Sequence, residues 1–365
     1  MRNCKFIVNF AENSKPPCNF SGRPAAITNI DIKMPTKNPY GNMMIADLPE
    51  PETIRAEELL ELIENKSIDL ICVLGPTASG KTRYAVELAR ELNRLRAGRE
   101  GNIDPADMAG AEILSGDSRQ VYRGMDIGTG KDLSEYGDIP YHLIDIVDAG
   151  TKFDLYQYQR AFERAYNDIR SRGGIPILCG GSGLYLEAAT CGYSIPDVPP
   201  SPELRAELEE KTTDELVSML AAMKPLHNKT DIDTRQRLIR ALEIAIYQKN
   251  HPVENTSYLP KNTYYIGTLV SREERNRRID ARLDARITEG MVDEVRRLLE
   301  SGIPAENLTY YGLEYKFVTQ HVLGVLTLDE MKTLLGNAIH QFAKRQMTWF
   351  RGMERKGIRI HWVEP

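Results

Sequence analysis

Two textures of apolar and polar positions follow one another along the chain. Leu70 to Leu74 are five consecutive apolar residues, the signature of a strand buried on both faces. A glycine-rich stretch follows, and then Ala85, Leu88, Ala89, Leu92 and Leu95 recur at helical spacing. Apolar runs at 111–115, 141–147 and 175–179 read as further strands. Leu155, Tyr158, Phe162, Ala165 and Ile169 mark one face of a helix over 155–172. Strand alternating with helix predicts an α/β fold, a mainly parallel sheet flanked by helices. A short helix over 57–64 precedes it, and the run from Arg96 to Pro105 reads as a polar loop. Beyond Pro196 the texture becomes helical and charged, at 202–223 and 231–248, which predicts a mostly helical insertion over 196–233. The α/β pattern resumes with a strand at 264–270 and two helices over 272–300, broken near Gly290. Thr327 and Glu330 form a capping box that opens a long helix to about Arg351, and 358–363 is a closing strand. Residues 46–195 and 234–365 therefore make the core. Residues 1–45 show no periodicity and predict a poorly ordered leader.

Composition narrows the classes. Of 365 residues, 41% are apolar and 27% charged, ordinary for a soluble globular protein. The net charge of −5 does not advertise nucleic-acid binding, so any basic surface is local. Five scattered cysteines without a CxxC pair argue against a disulfide framework or a zinc site and suit a reducing cytoplasm. No apolar run reaches membrane-spanning length and none resembles a secretion signal.

The chemistry begins at Gly75, Pro76, Thr77, Ala78, Ser79, Gly80, Lys81 and Thr82, which fit the phosphate-loop pattern between a strand and a helix. Such a loop turns backbone N–H groups toward an anion, and the helix start adds its dipole. Lys81 reaches phosphate oxygens, and the Thr82 hydroxyl is placed to hold Mg²⁺. The loop specifies phosphate or diphosphate and no particular reaction. Asp117, at a strand end, is either a proton acceptor, a water-mediated Mg²⁺ ligand or a turn cap. Ser182 lies in a second glycine-rich turn, Gly180 to Gly183. Arg235, Arg237 and Arg240 share one helix. Residues 272–300 hold eight arginines against eight acids, a salt-bridged surface from which Arg278 and Arg282 are candidates to turn inward to an anion. From Met331 to Arg359 there are seven Lys/Arg against one acid, with His340, Trp349 and Phe350 interleaved, a pattern suited to a nucleic-acid backbone. The competing reading is a basic helix end with Trp349 in the core.

Six stretches together resemble the bacterial tRNA dimethylallyltransferase family: 75–82 (GPTASGKT), 115–131 (SGDSRQVYRGMDIGTGK), 141–145 (YHLID), 180–185 (GGSGLY), 237–243 (RLIRALE) and 343–350 (AKRQMTWF). They run in family order across about 69–363. The resemblance implies a P-loop NTPase-like core and transfer of a dimethylallyl group from dimethylallyl diphosphate to N6 of the adenosine 3′ to the tRNA anticodon. Asp117 matches the family's general base, and Ser182 a threonine beside the reaction centre. Gly75–Thr82 would hold the diphosphate with Mg²⁺ on Thr82, and Arg278 or Arg282 matches a diphosphate-binding arginine. Contacts to the anticodon stem-loop are implied for Asp117, Ser118, Arg119, Gln120, Arg205, Gln236, Arg237, Leu238, Ile239 and Arg240, with the insertion clamping the anticodon arm. A cytoplasmic monomer is implied as well. Three departures stand out. Gly116 replaces the usual Ala, the 96–110 loop is long, and the insertion is short. The rival readings are an adenylate isopentenyltransferase, a P-loop small-molecule kinase and a non-catalytic RNA-binding protein. The basic last helix argues against the first two and intact Lys81, Thr82 and Asp117 against the third.

Overall fold

A computed structural model describes residues 49–100, 109–191, 197–224, 232–251 and 260–365. The expected leader, and residues 101–108 of the long loop, lie outside the described residues. Strand β1 (Leu70–Leu74) is buried at every position, with Ile71 and Val73 facing one apolar layer and Leu70, Cys72 and Leu74 the other. That two-sided burial places β1 inside a parallel sheet. Its companions are β2 (Ala111–Ser115), β4 (Tyr141–His142), β6 (Ile175–Gly180), β7 (Thr263–Thr268) and β8 (Ile360–Val363), in the order β4-β2-β6-β1-β7-β8. Every pairing is parallel. Two-residue strands β3 (Tyr122–Arg123) and β5 (Val147–Asp148) pair separately.

Helices α1 (Ala56–Glu64) and α2 (Lys81–Glu100) cover one face of the sheet. Helices α3 (Leu155–Ser171) and α4 (Gly183–Thr190) cover the other, together with the end of α12 (Leu328–Arg355). The capping boxes of α3 (Asp154 with Gln157) and α12 (Thr327 with Glu330) are both formed. Helices α8 (Arg272–Thr288), α9 (Met291–Glu300), α10 (Ala305–Tyr310) and α11 (Leu313–Val322) form a third apolar cluster with α12. Among the described residues no helix is long and apolar enough to cross a membrane.

Two local expectations are corrected. The 141–147 run is not one strand, because Leu143 and Asp145 have positive φ and turn the chain from the main sheet to the β3–β5 pair. The 96–100 segment is helical rather than loop. Arg96 donates to the Ala109 and Gly173 carbonyls at 2.8 and 2.9 Å, and Arg99 to Glu64 at 2.6 Å, so polar residues extend the helix by reaching its neighbours.

The insertion has its own core. Leu208 of α5 (Pro202–Glu209) and Leu216 and Leu220 of α6 (Thr213–Met223) pack with Leu238, Ile239 and Leu242 of α7 (Arg235–Asn250). The packed unit thus runs past residue 233 to include α7. Glu243, 2% exposed, ties it together: its carboxylate takes Arg205 at 2.8 Å, Arg240, and the Ser201 N–H at 2.7 Å. Burial alone would push this carboxyl up, but the hydrogen bonds from Arg205, Arg240 and Ser201 outweigh it and hold it at about 2. A free Glu titrates near ~4.3. The folded value lies below that, so the stabilisation is complete above the unfolded value and disappears as pH falls toward the folded one. Glu243→Gln is therefore expected to lose up to about 3 kcal/mol at pH 7. Thermal unfolding of both proteins across acid pH should show the gap closing as pH drops. A gap independent of pH would show that the carboxylate charge is not what stabilises the unit.

Candidate active site

The phosphate loop leaves β1 and returns into α2 through Ala78 and Gly80, at φ +60° and +82°. A left-handed non-glycine residue is costly and persists only where its surroundings hold it. Here the Ser79 and Thr268 hydroxyls share a 2.6 Å hydrogen bond, and the Thr77 N–H donates to Gln346 Oε1 at 2.8 Å. Lys81 opens α2. Burial lowers its pKa and Arg282 adds to that, while Cys179, Asp117 and Glu135 pull it back. The Cys179 thiol, pushed up to about 12 by burial, donates to the Lys81 carbonyl at 3.7 Å.

Asp117 stands at the end of β2, two strands from the loop, with β6 between them. Its Oδ1 accepts the Arg119 N–H at 2.8 Å, so it caps its own turn, and its charge also reaches Lys81. Ser182 precedes α4 without capping it. Its Oγ instead accepts the Ser118 N–H at 3.1 Å, and its N–H donates to Gly116 O at 3.4 Å. The glycine turn after β6 is thereby sewn to the Asp117 turn after β2. Gln120 accepts from the Ser115 hydroxyl at 2.9 Å and donates to Gly130 O at 3.2 Å.

The stretch from Met125 to Lys131 is scaffold. Buried Lys131 donates to Tyr122 O and Asp126 at 2.6 Å each, and to Asp145. Glu294 of α9, 3% exposed, accepts the N–H groups of Asp126 and Ile127 at 2.8 Å and of Gly128 at 3.0 Å, plus the Tyr315 hydroxyl at 2.6 Å. A carboxylate so satisfied is a strong anchor for a loop. The Gly130 carbonyl in turn accepts from Arg282 at 3.4 Å, and Arg282 also pairs with Asp132.

A cleft beside the phosphate loop is lined by Thr77, Ala78, Ile279, Arg282, Leu283, Arg286, Glu314 and Ile339. Burial lowers the Arg286 pKa and raises that of Glu314, while each offsets the other through their opposite charges. Of the two arginines proposed from sequence, Arg282 faces this cleft. Arg278 pairs with Glu274 of its own helix at 2.7 Å.

Gln346 of α12 joins the two glycine loops, since its Nε2 also donates to Gly181 O at 2.9 Å. One turn on, Trp349 lies against Gly183, where any Cβ would overlap the indole. Trp349 is therefore packed on one side but only half-buried, against the second apolar layer rather than inside it. Lys344, Thr348, Arg351 and Arg355 recur at helical spacing along the outward stripe, and Arg345 lies over the Phe342 ring at 5.8 Å. The other three basic residues are paired: Lys332 with Asp284 at 2.7 Å, Lys356 with Glu187 at 2.6 Å and Arg359 with Glu52 at 3.9 Å.

The candidates on the insertion are corrected in part. Leu238 and Ile239, 0% and 4% exposed, are core and cannot offer their side chains to a ligand. Arg205 and Arg240 are committed to Glu243, and Arg240 also to Val198 O at 2.8 Å. Arg237 lies 3.8 Å from Asp233, and Gln236 is exposed. Sequence reasoning missed Gln346, Glu294, Arg286 and Glu314. Gln346 alone had a local signal, an amide inside a basic, aromatic helix. The backbone N–H partners of Glu294 are 166 to 168 residues away.

The IPP transferase family model matches residues 120–353. A tRNA dimethylallyltransferase of Porphyromonas gingivalis is 55% identical over 299 residues, 81% of this chain and 93% of that protein. One from Parabacteroides distasonis is 52% identical over 303 residues, 82% and 93% of the two chains. The crystal structure of a tRNA isopentenylpyrophosphate transferase from Bacillus halodurans is similar at TM-score 0.56 and 32% identity, covering 81% of this chain and 89% of that one.

Gln346→Leu keeps the volume but leaves the Thr77 N–H and Gly181 carbonyl unpaired. The expected cost is about 1–3 kcal/mol in unfolding free energy, with a further loss of affinity for inorganic diphosphate. An unchanged diphosphate affinity in a folded variant would show that the bridge does not shape the loop.

Proposed function

The chain belongs to the IPP transferase family, and we propose that it transfers the dimethylallyl group of dimethylallyl diphosphate to N6 of the adenosine 3′ to the anticodon in tRNA. The observation that carries this reading is the meeting of three turns at the carboxyl ends of adjacent parallel strands β2, β6 and β1, joined by Ser182 and Gln346. Open parallel sheets bind ligands at that edge. The phosphate loop, with Lys81 and Arg282, takes the diphosphate, and the Asp117 turn takes the amine. In the transfer the N6–C1 bond forms as the C1–O bond to diphosphate breaks. The N6 proton passes to the Asp117 carboxylate, and diphosphate leaves with the bonding pair. An aromatic amine is a weak nucleophile, so proton removal as the new bond forms assists it. Loop N–H groups, Lys81 and Arg282 stabilise the charge that grows on the departing diphosphate.

Thr82, beside Lys81 at the start of α2, is the side chain that would hold Mg²⁺, its hydroxyl joining diphosphate oxygens and water. Bound there, the ion would neutralise leaving-group charge. The anticodon stem-loop is taken as acceptor because Lys344, Arg351 and Arg355 line one side of the helix that holds both glycine loops. Action in a reducing cytoplasm belongs to the same reading, supported by the free thiols Cys72, Cys179 and Cys191, and so does a monomeric state.

Transfer of label from dimethylallyl diphosphate should appear on tRNA with consecutive adenosines in the anticodon loop. Asp117→Asn should lower kcat by about 10²–10⁴ and leave KM for the diphosphate near its original value. Label on AMP alone would replace the tRNA reading with an adenylate isopentenyltransferase. ATP hydrolysis without transfer would reopen the kinase. In a second assay, chelation of Mg²⁺ should abolish transfer and Mg²⁺ should restore it. Activity insensitive to chelation would remove the ion from the mechanism.

A further inference from the structure

A cluster of tyrosines and one arginine sits next to the Asp117 turn. Tyr122 and Tyr311, each 1% exposed, have ring centres 4.4 Å apart. The Tyr311 hydroxyl is fixed on two sides, accepting the Gly150 N–H at 2.8 Å and donating to Thr151 O at 2.7 Å. Its neighbour Tyr310 meets it edge-on, at 6.0 Å and 71°, yet remains 43% exposed and outside the helical core. The Arg119 guanidinium lies 5.8 Å from the Tyr310 ring centre, and its backbone N–H is the one bound by Asp117. Tyr185 of α4 lies close enough to Arg119, Tyr310 and Asp117 to feel them electrostatically, and burial drives its hydroxyl pKa up.

An exposed aromatic ring braced on buried ones, beside a planar cation, offers flat surfaces on a rigid base. Neither β-sheet packing nor helix capping uses it. RNA bases that have left their stack bind to such surfaces through their faces. An adenosine that presents its N6 amine to a carboxylate in a protein pocket must be extruded, which uncovers a face of an adjacent base. We propose that Tyr310 and Arg119 form a stacking shelf for a nucleobase of the substrate RNA directly next to the accepting adenosine. The shelf compensates the stacking that the RNA gives up. This rests on the reading that Asp117 meets the acceptor amine.

The test is the affinity of an anticodon stem-loop RNA, by fluorescence anisotropy, for the wild-type protein, Tyr310→Phe and Tyr310→Leu. Each is measured on the intact RNA and on two RNAs made abasic at the nucleotide 5′ or 3′ of the acceptor. Tyr310→Phe should bind like wild type. Tyr310→Leu should bind the intact RNA about tenfold more weakly, and that penalty should vanish on one of the abasic RNAs. KM for dimethylallyl diphosphate should not move. A Tyr310→Leu penalty that is absent, or equal on all three RNAs, overturns the shelf. Should Tyr310→Leu fail to fold, Arg119→Lys keeps the charge and removes the plane, with a several-fold loss expected to vanish on the same abasic RNA. Because binding is read without catalysis, a wild-type protein that shows the shelf but transfers no label would defeat the proposed reaction and leave the shelf standing.

Discussion

Every strand of the main sheet runs in the same direction, and the site depends on this. A parallel sheet gathers the carboxyl ends of its strands on one edge, and its crossovers place helices on both faces. Here β1, β6 and β2 end side by side in the phosphate loop, the glycine turn and the Asp117 turn. No single turn is sufficient. The first presents N–H groups and Lys81, the third presents a carboxylate, and the middle one holds them at a set separation through Ser182.

The helix that carries Gln346 does a second job. One side-chain amide donates to one loop and accepts from the other, and Trp349 presses the same face onto Gly183. The opposite side of that helix bears Lys344, Arg351 and Arg355. The helix that fastens both glycine loops is therefore also the one that carries the basic stripe. Glu294 plays a comparable part across the site, where its carboxylate occupies a row of backbone N–H groups and keeps the Asp126–Gly130 turn closed.

Much of this was legible in the chain. The run Leu70–Leu74, the glycine loop and the following helix identified themselves because local pattern and local chemistry agree there. Asp117 and Ser182 were visible as polar residues at strand ends. What escaped was non-local. The 141–147 run looked like one strand because its composition is apolar, while positive φ at Leu143 and Asp145 is decided by the second sheet. Leu238 and Ile239 lie inside a motif whose outward residues drew attention, yet helical geometry sends these two side chains into the insertion core. Arg205 and Arg240 stood as implied contacts to the anticodon stem-loop, and nothing local in the sequence showed that both are held by one buried acid, Glu243. The choice between Arg278 and Arg282 is one helical turn, and only the placement of α8 against the loop makes it.

The insertion closes its apolar core from its own three helices, which pack chiefly on one another. Such a unit is a separate cooperative block. A unit whose apolar contacts are mostly internal has the means to open locally without the sheet, and amide exchange in α5 to α7 would read that local opening. A protease meeting the native protein would find its first productive cut there, and the sheet would outlive the insertion.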